Sequence, residues 1–413
     1  MAATLFTNIR QLVNIREEDQ LLRGKALAYL PVLKNAYLMV EDGIIAAYGL
    51  MDEMPESLTV VEEIVDASGQ MILPCWCDSH THLVFAASRE EEFVDKIKGL
   101  SYAEIAARGG GILNSAKKLN DTSESELIRL AWNRIQELIR MGTGAVEIKS
   151  GYGLSVEGEL KMLRVIKKLK ETSPIPVKAT FLGAHSYPPA YKDNHSGYID
   201  LIKNEMLPVI AEEELADYID VFCETGFFSK EETIDICKAG MAHGLIPKIH
   251  ANQLHLSGGV QAGVELGALS VDHLETMDEE AIRLLAASNT IGTLLPTAAF
   301  FLRMPFQPAR QLIDAGTAIA LASDFNPGSS PSGNMNLVIA MSCIQMKMLP
   351  EEAINAATVN GAFAMGLQDS LGSITVGKKA NLILTKPIPS LAYLPYAFGS
   401  SNIDRVMIAG EWA

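Results

Sequence analysis

The stretch QMILPCWCDSH at residues 70–80 decides the fold. It is apolar almost throughout, reads as a strand, and ends on a carboxylate and an imidazole. Seven further runs of the same texture follow: GAVEIKS (144–150), VKATFLGAH (177–185), YIDVFCE (218–224), PKIHAN (247–252), LSVDHLE (269–275), TIGTLLP (290–296) and AIALASD (318–324). Helical patterns separate most of them. The clearest spans 124–141, where Leu127, Leu130, Ala131, Ile135, Leu138 and Ile139 recur at three- and four-residue spacing. Thr122 or Ser123 can cap it and Gly142 can end it. Strands that are apolar on both faces and alternate with helices form a parallel sheet. Eight such units predict an α/β fold, a (β/α)8 barrel over 70–371. An open doubly wound sheet is the alternative, but it would want a glycine-rich phosphate turn after its first strand, and none is present.

Outside this stretch the texture changes. Residues 1–69 hold short apolar runs broken by turns. KALAYL (25–30), AYLMVEDGIIAAYG (36–49) and TVVEEIVDASG (59–69) read as meander strands, with Asp42-Gly43 as a hairpin turn. Residues 372–413 return to short strands, GSITVGKKANLILTK (372–386) and SNIDRVMIAGEWA (401–413). A small β-sandwich built from both chain ends is the economical prediction.

The charge of the 413-residue chain is −16, from 34 Lys and Arg against 50 Asp and Glu. That argues against a nucleic-acid partner, which wants a basic face. The densest basic run, Lys167-Lys168-Leu169-Lys170, reads as the solvated end of a helix. No secretory leader and no membrane span are expected, since the charge-free window 284–302 carries Ser288, Asn289, Thr290, Thr293, Pro296 and Thr297. Five cysteines do not make a disulfide framework, and a cytoplasmic setting is expected. Cys75 and Cys77 read as buried strand residues.

The histidines are placed informatively. His80, His82, His185, His250 and His273 all fall at or near the C-terminal ends of predicted strands, and Asp324 ends the eighth. In a (β/α)8 barrel those ends converge on one face. His80 and His82, two apart on a strand, point the same way and can reach one ion. His250 can supply a third nitrogen. A buried Asp324 needs a compensating cation, and as a ligand it can also act as a base. Three histidines and a carboxylate suit a mononuclear hydrolytic site for one zinc, ferrous or ferric ion per subunit. His185 and His273 are then left for substrate contact or transition-state polarisation. His195, His243 and His255 lack this context.

This pattern resembles the amidohydrolase superfamily, which carries HxH on strand one, histidines on strands five and six, and aspartate on strand eight. The split β domain fits as well. Strand four here has no lysine, and Lys149 lies on strand two, so one metal rather than a bridged pair is expected. Within that superfamily the motifs DSHTHLVFAASREEEF (78–93), SYAEIAARGGGI (101–112), EIKSGYGLS (147–155), TFLGAH (180–185), HANQL (250–254), SVDHLE (270–275) and ASDFNPGSSP (322–331) are similar to the imidazolonepropionase family over nearly the whole chain. The resemblance implies opening of the 4-imidazolone-5-propionate ring to N-formimino-L-glutamate in histidine degradation.

It further implies that Arg89 grips the anionic propionate. Tyr152, His185, Gln253, Asn326, Gly328 and Ser329 would line the substrate site. Asp324 would shuttle the proton, His273 would orient water, and His185 would steady the oxyanion. Two departures stand out. LPCWCDSH replaces the usual Pro-Gly before the HxH. Gln253 stands where many members have glutamate and cannot take a proton, which leaves that work to Asp324. Gly109-Gly110-Gly111 reads as a tight turn or lid. A homodimer is the expected assembly. The alternative enzyme is another cyclic amide or amidine hydrolase or a nucleobase deaminase; a non-catalytic scaffold on the same barrel is more distant.

Overall fold

The computed structural model describes residues 3–18, 20–59, 61–100, 104 and 110–413. Eight parallel strands follow one another in chain order: Trp76–Thr81, Thr143–Lys149, Val177–Ala184, Tyr218–Cys223, Ile246–Ala251, Ser270–His273, Ile291–Leu294 and Ile319–Leu321. They are referred to below as barrel strands one to eight, and each coincides with one predicted run. The order never reverses, so the sheet has no switch point and is not an open doubly wound one. Beyond the strand ends it closes on itself. Asp324 N donates to His80 O at 3.0 Å, and His82 N donates to Phe325 O at 2.9 Å. One layer down, Ser323 N and Oγ donate to the two oxygens of Asp78 at 2.9 and 2.5 Å.

The helix that the apolar periodicity placed at 124–141 forms there. Glu124–Arg140 is capped by Ser123, whose side chain accepts from Glu126 N, and it turns Leu127, Ala131, Ile135 and Leu138 inward. Lys230–Ala242 starts with a reciprocal capping box between Ser229 and Glu232. No helix among the described residues is long and apolar enough to cross a membrane. The window 284–302 is the end of one helix, barrel strand seven and the helix Pro296–Leu302.

The second sheet draws on both ends of the chain. Its order is Glu411–Trp412, Ile403–Ile408, Leu382–Thr385, Met71–Pro74, Ala3–Val13, Val32–Glu41, Ile44–Leu50, with Glu63–Asp66 parallel to Ala3–Val13. It curls until its far strand returns: Ile45 N donates to Lys378 O and Ala380 N to Gly43 O, both at 2.8 Å. The fold encloses Phe6, Ile9, Leu38, Ile45, Leu382 and Met407 in one core. Asp42 and Gly43 make the predicted hairpin with φ of 48° and 79°. Two expectations need correction. KALAYL is a 3-10 turn, Gly24–Ala28, and not a strand. The run 70–80 also serves two sheets, with Met71–Pro74 in the end sheet and Trp76–Thr81 in the barrel. All five cysteines are free.

Candidate metal centre and substrate pocket

Pleating does what the HxH spacing required. His80 and His82 share one face of barrel strand one and are both buried. His250 near the end of strand five, His273 at the end of strand six and Asp324 just past strand eight meet them across the mouth. The ring centroids of His80 and His250 are 4.5 Å apart, those of His82 and His250 5.5 Å. Asp324 Oδ1 lies 3.5 Å from His80 Nε2 and 3.6 Å from His82 Nε2. The chain leaves the strands in left-handed backbone at His273 (φ 88°), Leu274 (66°), Asn252 (53°) and Asp324 (51°), none of them glycine. Such conformations cost energy and collect where a site over-determines the geometry.

The donor set fits a metal ion. Ring nitrogens of His80, His82 and His250 lie close enough to share one, as do ring nitrogens of His80 and His273 with a carboxylate oxygen of Asp324. Asp272 Oδ2 takes His80 Nδ1 at 2.6 Å, and Asp220 Oδ2 takes His250 Nδ1 at 2.9 Å. A carboxylate on Nδ1 fixes the tautomer and turns a bare Nε2 lone pair inward. His80 Nε2 is buried and has no hydrogen-bond partner, as a ligand atom must be. His82 has no such carboxylate; its Nδ1 is buried and unbonded. Burial, opposed mainly by His273, pushes the Asp324 carboxyl up to about 7. Burial lowers His273, but Glu275, 3.3 Å from its Nδ1, and Asp324 outweigh that and raise it.

Over this cluster lies a cavity of about 360 Å³. His82, Arg89, Tyr152, His185, His250, Gln253, His273, Asp324, Asn326, Gly328 and Ser329 all line it, so every expected site residue except His80, which sits behind, faces one space. Phe222, Phe227, Leu254 and Lys96 line it too and were not anticipated. Arg89 caps the helix Glu90–Ile97 and gives Nε and Nη2 to Glu92 Oε2 at 2.9 and 2.5 Å. Glu92 Oε1 accepts Gly111 N at 2.9 Å. Asn326 Oδ1 gathers the N–H groups of Gly328 and Ser329 at 2.8 Å each, and Ser329 Oγ donates to Asp324 Oδ2 at 3.3 Å. Tyr152 is held above His82 by a loop whose Gly151, Gly153 and Leu154 N–H groups all donate to buried Glu159. Burial raises the Tyr152 phenol, so it keeps its proton.

One expected role changes. His185 Nδ1 is 3.0 Å from Gly151 O, which can only accept, so the proton sits on Nδ1 and Nε2 carries a lone pair. Burial and then His250 lower the imidazole to about 4. A neutral ring with a bare Nε2 cannot donate to an oxyanion. Most of SYAEIAARGGGI, including Gly109 of the triple-glycine turn, lies outside the described residues; Gly111 takes φ 86° and caps the helix Ile112–Asp121.

Of the layer beneath, the sequence singled out Lys149 alone, and only to exclude it as a bridging ligand. Glu147, Lys149, Asp220, Lys248 and Asp272 are all buried inside the barrel. Their signal was a charge in the middle of an apolar strand, as in YIDVF.

Barrel, end sheet and ligand cluster together define a class, the metal-dependent hydrolase barrels. The model of the amidohydrolase family matches residues 71–413. The chain is 58% identical over 409 residues to an imidazolonepropionase of Flavobacterium johnsoniae, covering 99% of each. It is 43% identical over 385 residues to one from a Geobacillus species, covering 92% of this chain and 91% of that one. Solved structures share the fold: E. coli guanine deaminase, TM-score 0.74 at 12% identity, over 100% of this chain and 99% of that one; and a zinc-bound adenosine deaminase from Xanthomonas campestris, TM-score 0.66 at 17% identity, over 100% and 92%. The chain belongs to the amidohydrolase family and, within it, to the imidazolonepropionases.

Proposed function

We propose the following account of how the site works. The protein is a hydrolase that opens the ring of 4-imidazolone-5-propionate to N-formimino-L-glutamate in histidine degradation. The observation that carries the account is that Arg89 and the cluster of His82, His250 and Asp324 face one cavity from different sides. An anionic tail and a hydrolysable ring can therefore be held together.

His80, His82, His250 and Asp324 would hold one ion per subunit, zinc or iron. Bound there, the ion would polarise the ring carbonyl and make a water more acidic. Arg89 takes the propionate carboxylate through Nη1, the end not spent on Glu92, and the Asn326–Ser329 turn, braced internally by Asn326 Oδ1, walls that side of the pocket. Tyr152 packs against or donates to the ring. His185 accepts a ring N–H at Nε2, and an ion held by His80, His82, His250 and Asp324 would supply positive charge for the carbonyl oxygen. His273 orients the attacking water. Asp324 takes its proton and returns it to the ring nitrogen as the carbonyl carbon–nitrogen bond breaks. Gln253 can hydrogen-bond the substrate without exchanging a proton. A nucleobase substrate would offer no anionic tail to the Nη1 end of Arg89, the end that Glu92 leaves free.

We also place the protein in the cytoplasm as a homodimer, for which light scattering on the purified protein is the check. The activity is tested by the loss of the imidazolone ultraviolet absorbance with chelator-stripped and metal-restored protein. Metal-replete protein that leaves the substrate intact would sink the account.

A further inference from the structure

Beneath the ligands lies a group the proposed chemistry does not use. Lys149, on barrel strand two, is fully buried. Its Nζ lies 2.7 Å from Glu147 Oε1, 2.8 Å from Asp220 Oδ2 and 3.5 Å from Asp272 Oδ2. The last two atoms are the ones that hold the metal-side histidines. Asp220 Oδ2 also meets His250 Nδ1 at 2.9 Å, and Asp272 Oδ2 also meets His80 Nδ1 at 2.6 Å. One ammonium thus stands behind two imidazoles on strands one and five, through carboxylates on strands four and six. The remaining oxygens are tied down as well: Asp220 Oδ1 accepts His250 N at 3.0 Å, and Asp272 Oδ1 accepts Ser270 Oγ at 2.5 Å. A second buried ammonium, Lys248, holds the other oxygen of Glu147 and the carbonyls of Ser79 and Ala364.

Taking ammonium and carboxylates out of water is costly, and a buried ion pair rarely repays this in stability alone. The cost is intelligible if the network sets geometry. Without Lys149, nothing on strand two would hold Asp220 and Asp272 towards each other, and each could turn its Oδ2 away from its histidine. Outer partners of this kind orient ligands and tune the ion they hold. We propose that Lys149 is a positioning residue of the metal centre, acting on His250 through Asp220 and on His80 through Asp272. The inference rests on the metal reading above.

The test is the zinc affinity of chelator-stripped protein, read by competition with a chromogenic chelator, beside far-ultraviolet circular dichroism and Tm. Lys149→Met should bind zinc roughly 10- to 100-fold more weakly, the range for removing an outer partner. Lys149→Met with Glu147→Gln removes one ammonium and one carboxylate together, and it decides the matter where the single variant does not fold. Because Lys149 acts through Asp220, Lys149→Met with Asp220→Asn should lose less affinity than the product of the two single losses. A role in stability alone would lower Tm and leave the zinc constant where it was. A folded variant with wild-type affinity, or losses that simply multiply, overturns the proposal. Wild-type protein that takes up neither zinc nor ferrous iron overturns the metal reading instead, and the two failures are distinct.

Discussion

Gly328 sits directly against Arg89. A Cβ at position 328 would come within 2.3 Å of Arg89 Nη1 and 3.1 Å of its Cζ. The guanidinium already spends Nε and Nη2 on Glu92, which leaves Nη1 as the end turned towards the Asn326–Ser329 turn. The missing side chain is therefore what lets the free end of the guanidinium lie over the turn, whose own N–H groups at Gly328 and Ser329 are tied to Asn326 Oδ1.

Gly328→Ala should disturb binding and not folding. The new methyl must push the guanidinium aside. We expect KM for imidazolone propionate to rise about tenfold, the effect of ~1.4 kcal/mol, with kcat and Tm little changed. Steady-state kinetics beside a melting curve check this, and an unaltered KM would mean that Arg89 does not approach the substrate over Gly328.

Arg89→Ala removes the grip itself. Charge-assisted hydrogen bonds contribute about 1.5–3 kcal/mol each, so KM should rise at least about tenfold to a hundredfold. A ring analogue without the propionate should be hydrolysed equally by both proteins. Equal losses on both substrates would place Arg89 in the architecture of the site and not in recognition.

Removing the metal should abolish turnover reversibly. A strong chelator should leave less than about 1% of the activity, since metal assistance amounts to several kcal/mol of transition-state stabilisation. Zinc or ferrous iron, added back separately to the stripped protein, should restore it and identify the better occupant. Full activity in protein shown by elemental analysis to hold no metal would refute the ligand assignment.

The Arg89–Glu92 pair has a pH signature. Burial pushes the Glu92 carboxyl up, but hydrogen bonds from Arg89 and Gly111 N–H outweigh it and hold the group below its ordinary value. A carboxylate depressed in the folded state stabilises the fold above its unfolded pKa, about 4.3, and loses that contribution as pH falls through the folded value. The Tm gap between wild type and Glu92→Gln should thus be constant near neutrality and shrink below about pH 4. A gap that widens towards acid would reverse the sign of the coupling.

The barrel and the mouth of the site were legible in the sequence for one reason. Parallel strands covered on both faces read as unbroken apolar runs, and the residues that end such runs must be the ones at the mouth. His80, His82, His250, His273 and Asp324 are those residues. The strand Ala3–Val13 was passed over because Thr4, Thr7, Asn8, Arg10 and Gln11 interrupt its apolar pattern; its burial alternates only in part. KALAYL has strand composition, but Gly24 at φ 50° starts a tight 3-10 turn. Lys149 was weighed only as a bridging ligand and set aside. Its partners lie 2, 71 and 123 residues along the chain, and no local pattern joins Glu147, Asp220 and Asp272. The tautomer of His185 was equally hidden, because it depends on one main-chain carbonyl in another loop.

The end sheet has a consequence for the order of events during synthesis. Met71–Pro74 is apolar and buried, and one of its edges is covered by Leu382–Thr385. About 300 residues separate the two, which at roughly 5–20 residues per second is on the order of 15–60 s of translation. Throughout that interval the nascent chain carries a half-finished sheet with an unpaired hydrophobic edge, the kind that recruits foreign strands. The last forty residues therefore act as a delayed clasp. A chain terminated before them would have every barrel strand but an open edge that invites aggregation and chaperone capture.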